Sequence, residues 1–85
     1  MDLEKERKEI LMQSAEARAR DVLLHQINID NCRGALAEIS EHHSDTPEMA
    51  AFRDQLQALL ESSLVEQTKE QIMLTVIQRQ LEVER

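Results

Sequence analysis

The sequence predicts an all-α protein: an antiparallel hairpin of two long helices that pairs with a second copy into a four-helix bundle. Three observations predict it. The stretch Glu41-His42-His43-Ser44-Asp45-Thr46-Pro47-Glu48 is the clear interruption in an otherwise helical pattern. Apolar residues recur at seven-residue steps on both sides of it, the period of coiled coils. Toward the two chain ends, apolar residues cover more of each helix than one neighbouring helix can hide.

The interruption reads as a turn for local reasons. Proline pushes the residue before it out of helical geometry. Ser44 and Asp45 offer side-chain-to-backbone bonds that compete with helix. Thr46 then serves as N-cap, Pro47 fits the first helical position, and Glu48 sits at the positive end of the helix dipole. The expected layout is one domain over residues 1–85, with a helix over 2–41, a turn over 42–46 and a helix over 47–83.

In the first helix, Leu3, Ile10, Ala17 and Leu24 form one seven-residue row. Ala15, Val22, Ile29 and Leu36 form a second, with Leu11, Cys32 and Ile39 beside it. Met12, Ala19, Leu23 and Ile27 lie on a third side. Beyond residue 30 a single stripe survives: Cys32, Ala35, Leu36 and Ile39. Asn28, Asp30, Asn31 and Gly34 are poor helix formers packed close together. The expectation is a continuous helix with a soft middle; the alternative is a break near residue 30.

In the second helix, Met49, Phe52, Leu56, Leu59, Leu60 and Ser63 are expected to form one face, continued by Leu74, Ile77 and Leu81. Val65, Ile72, Val76 and Val83 form a row on the other side. Folding about residue 44 sets position i against about position 88 minus i. The two stretches that are apolar on several sides, residues 10–29 and 59–78, then lie together in the open half. Leu23, Leu24, Ile27, Val65, Ile72, Val76 and Ile77 are the expected interface for a second copy or a partner helix.

Charge sorts along the same axis. The net charge of −7 falls wholly within residues 21–70; residues 1–20 balance five acids with five bases, and residues 71–85 balance two with two. Asp30, Glu38, Glu41, Asp45, Glu48 and Asp54 form an expected acidic tip. A chain so charged lacks the basic stripe that phosphates demand, so direct nucleic-acid binding is not expected. The tip suggests a second function class, an acidic mimic of nucleic acid that binds a basic protein surface.

Composition narrows the rest. One Gly, one Phe and no Trp or Tyr make a poor recipe for a sheet or an aromatic-lined pocket. No phosphate loop, nucleophile elbow or zinc spacing occurs, so no enzyme, cofactor or metal is expected. His42 and His43 are adjacent, and neither has a His or Cys three or four residues away. No apolar run is long enough to span a bilayer. The charged N-terminal run Asp2-Leu3-Glu4-Lys5-Glu6-Arg7-Lys8-Glu9 is unlike a signal peptide, and Cys32 is a lone cysteine; the expected location is the cytoplasm. The functional expectation is a non-enzymatic protein–protein interaction module: an adaptor, a small chaperone or a regulatory inhibitor.

Overall fold

The computed structural model describes residues 2–83. Two helices make up the fold: α1, Leu3–His42, and α2, Pro47–Val83. They run antiparallel in a hairpin measuring 64 × 18 × 16 Å between Cα atoms. Among the described residues there is no strand, and no helix is long and apolar enough to cross a membrane.

The helix ends are held as their residue types dictate. The Asp2 carboxylate accepts from the Lys5 N–H at 3.2 Å, while Glu4 and Glu6 face the positive end of the α1 dipole. At the other end His43 turns to an extended backbone, and its N–H closes the last turn on the Ile39 carbonyl at 3.2 Å. The Thr46 hydroxyl accepts from the Met49 N–H at 3.1 Å, and the Thr46 carbonyl accepts from the Ala50 N–H at 2.9 Å. Pro47 opens α2, where its missing N–H costs nothing.

Helix α1 does not break near residue 30. Tertiary packing overrides weak local propensity there. Ile29 and Cys32 sit among the poor helix formers yet are 1% and 3% exposed, packed in one cluster with Leu60, Leu36 and Leu56. The Gln26 side chain also donates to the Asp30 carboxylate at 3.0 Å, one turn along. The buried positions Cys32 and Ile39, Leu60 and Leu74, and Ser63 and Ile77 are related by seven or fourteen residues. A strict seven-residue repeat keeps a straight contact seam only if the helices wind about one another in a left-handed sense.

Cross-helix bonds fix the register. Arg7 meets Gln80, Arg18 meets Glu70, and Gln67 meets the Val22 carbonyl. Each pair sums to within a residue of 88, the register expected for a fold about residue 44. Two assignments made from the sequence need correction. Ile77, expected at the outer interface, is 6% exposed and belongs to the hairpin's own core. Phe52 and Leu59, expected on the inner face of the second helix, are 45% and 50% exposed. They flank the seam and do not enter it, because Leu56 and Leu60 take the inward positions.

Candidate interaction surface

The hairpin has two unlike sides, and side-chain bonds identify them. Residues seven apart lie along one flank of a supercoiled helix. Arg7 Nη2 donates to Gln80 Oε1 at 2.8 Å, which ties the helices together along one flank. Seven-residue steps from Gln80 bring Met73, Glu66, Leu59 and Phe52 to that side. Just outward of it run Leu3, Ile10, Ala17 and Leu24 on α1, with Val76 and Val83 on α2.

The opposite flank is built from amides and hydroxyls. Gln67 Nε2 donates to Gln26 Oε1 at 2.8 Å and to the Val22 carbonyl at 3.2 Å. Beside it lies a shallow groove lined by Val22, Gln26, Gln67, Thr68, Gln71 and Thr75, reaching round to Ile72, Val76 and Arg79. A second hollow near the turn is lined by Leu36, Ile39, Ser40, His43, Asp45, Arg53, Asp54 and Gln57. Asp45 and Arg53 pair across it at 3.3 Å.

Exposed apolar side chains are shared unequally between the sides. Among the described residues, fourteen large ones stay exposed. By their helical positions, eight lie on the Arg7–Gln80 side: Leu3, Ile10, Leu24, Phe52, Leu59, Met73, Val76 and Val83. Three lie on the glutamine side: Met12, Leu23 and Leu64. The other three, Ile27, Val65 and Ile72, sit on the outer backs of the two helices. Of the seven interface residues expected from the sequence, six are 42–59% exposed: Leu23, Leu24, Ile27, Val65, Ile72 and Val76. They do not form one patch. The α1 set and the α2 set point away from each other across the hairpin, and the flank between them carries Leu59 and Met73, which sequence periodicity alone did not mark.

Arg18 and Glu70 form a charged pair across the seam in the open half. Arg18 Nη1 lies 3.0 Å from both oxygens of Glu70, whose side chain is largely covered. Such a pair holds two helices in one relative position more firmly than it stabilises them. Level with it along the seam are half-buried Ala15 and Val22, small side chains that let long polar ones reach across.

At the other end, Asp30, Glu38, Glu41, Asp45, Glu48 and Asp54 are all exposed. Asp30 lies well back from the turn and accepts from Gln26, so the acids line the turn-side half of the rod rather than cluster at its end. Among the described residues no group of three His, Cys, Asp or Glu is placed to hold a metal ion. Cys32 is free and buried. Compared with family models, curated proteins and solved structures, the chain matches none.

Proposed function

We propose that this chain is a non-enzymatic protein–protein interaction module, an adaptor, small chaperone or regulatory inhibitor, that associates with itself through the apolar open half of the hairpin. One observation carries the reading: six aliphatic residues expected at an interface, Leu23 through Val76, each keep roughly half their surface in water. Burying a Leu, Ile or Val side chain fully is worth about 1.5–3 kcal/mol, so each of these half-exposed side chains that an interface covers adds to the drive to associate. Soluble monomers rarely leave a large apolar face uncovered, and by their helical positions Leu24 and Val76 share one side of the open half with exposed Leu3, Ile10, Met73 and Val83. A twofold dimer is the commonest way to cover it, with four helices around a shared core.

Sedimentation equilibrium on the purified protein tests the reading. We expect a dimer mass at low micromolar concentration. Leu24→Glu together with Val76→Glu should shift that equilibrium toward monomer by tenfold or more, since each change places a charge on the surface to be buried. A monomer mass for the unaltered chain at those concentrations refutes self-association.

The exposure of all six acids along the turn-side half favours a second reading, an acidic mimic or inhibitor that occupies a basic surface of a DNA- or RNA-binding protein. Binding that weakens steeply with salt, and is lost on Asp→Asn and Glu→Gln changes at the tip, would support it. Salt-insensitive binding would remove it. Either function suits a cytoplasmic protein whose single cysteine stays buried and reduced.

A further inference from the structure

Building on the proposed self-association, we infer that the second copy docks antiparallel against the Arg7–Gln80 side, so that the two acidic tips point to opposite ends of the assembly. The polarity of the sides selects the face. Within the open half, residues 3–24 and 64–83, six of the exposed large apolar residues lie there (Leu3, Ile10, Leu24, Met73, Val76 and Val83) and three on the other side (Met12, Leu23 and Leu64). The glutamine side also carries Glu9, Glu16, Asp30, Asp54, Glu61 and Glu82 along its outer edge, which belong in water.

The size is sufficient. The apolar stretch runs from the Leu3 and Val83 end to Leu24, about 32 Å at 1.5 Å per residue. Across the 18 Å width of the molecule, it offers on the order of 600 Å² per partner, the lower part of the range for stable interfaces.

Charge selects the orientation. All of the net −7 lies in residues 21–70, the turn-side half. Parallel docking would set the two acidic halves side by side, with Asp21 of one copy near Glu66 of the other and Glu38 near Glu48. Antiparallel docking through the open halves separates the tips by much more than the ~8 Å over which exposed charges act in physiological salt. It also brings the Arg7 level of one copy opposite the Asp21 and Glu66 level of the other when Met73 and Val76 lie near the twofold axis. Leu24 then meets the Leu3 and Val83 end of the second copy, and the apolar stretch of the open half is covered, while Phe52 and Leu59 stay outside the overlap.

Light scattering and small-angle X-ray scattering on the unaltered chain test this together. We expect a dimer mass and a maximum dimension of about 90 Å, from two hairpins overlapping over their open halves. A dimer with a maximum dimension of about 65 Å, the length of one hairpin, overturns the antiparallel offset while leaving self-association intact. A monomer mass overturns both. Dipolar spectroscopy on two singly labelled variants gives an independent reading. With Cys32→Ala as background, a label at Gln13→Cys sits near the expected axis and a label at Ser44→Cys sits on the tip. The first should report about 20–35 Å, two to three helix diameters, and the second no distance below about 50 Å, the tips lying some sixty residue rises apart. A tip-to-tip distance of about 20 Å, the spacing of neighbouring hairpins, means parallel docking and sinks the proposal.

Discussion

Gly34 is the residue whose identity the fold least requires. It lies inside α1, is exposed, and adopts no positive φ. A Cβ added there would meet nothing within 4 Å. Glycine in a helix interior costs about 1 kcal/mol relative to alanine, chiefly through the freedom it loses on folding. Gly34→Ala should therefore raise stability by about 0.5–1 kcal/mol, read as a shifted urea midpoint at fixed protein concentration. No change, or a loss, would mean that this position is occupied by something beyond the single chain. Ile29, five residues earlier, is the opposite case: at 1% exposed it anchors the turn-side cluster. Ile29→Ala should cost about 2–5 kcal/mol by the same measurement, the range for a truncated core aliphatic.

Each helix owes its limits to a few polar atoms and its continuity to packing. The start of α2 rests on the Thr46 hydroxyl and on Pro47. Thr46→Ala should cost about 1 kcal/mol, and thermal melts followed by circular dichroism should show a drop of about 4–8 °C. A much smaller drop would show that Pro47 alone sets the helix start. This turn was legible in the sequence because its signals are local: a capping residue, a proline and an acid in order. The cross-helix register was legible because the turn fixes the fold-back point and the seven-residue rows fix the faces. The continuity of α1 through Asn28–Gly34 was less so, since the residues that hold it together, Ile29, Cys32 and Leu60, act across the hairpin. The inward face of α2 was drawn too wide: Leu56, Leu60, Ser63, Leu74 and Ile77 do turn inward, but Phe52 and Leu59 at its edge do not. Ile77 fits the inward row by its spacing with Leu74, but its place in a dense aliphatic run also suited an outer interface. The unlike sides of the hairpin could not be read at all without the Arg7–Gln80 and Gln26–Gln67 bonds, because a row of residues on one helix does not tell which row of the other it borders.

The whole molecule is a rod with its tightest packing off centre. The fully covered cluster of Ile29, Cys32 and Leu60 lies toward the turn, while the open half holds Leu74 and Ile77 with half-covered neighbours and an Arg–Glu pair. Contacts also join residues ever further apart along the chain as the ends approach, from thirty-one between Ile29 and Leu60 to seventy-three between Arg7 and Gln80. Closing a larger loop costs more entropy, though only by the logarithm of its length. Together these make the hairpin a zipper: it should close from the turn outward and fray from the free end inward. Amide hydrogen exchange should show this as a gradient, slowest in residues 29–39 and 56–63 and fastest beyond Arg7 and Gln80. If association covers the open half, raising the protein concentration should slow exchange there first and leave the turn-side segment unchanged. The loosest stretch of the single chain would then be the very stretch that a companion locks.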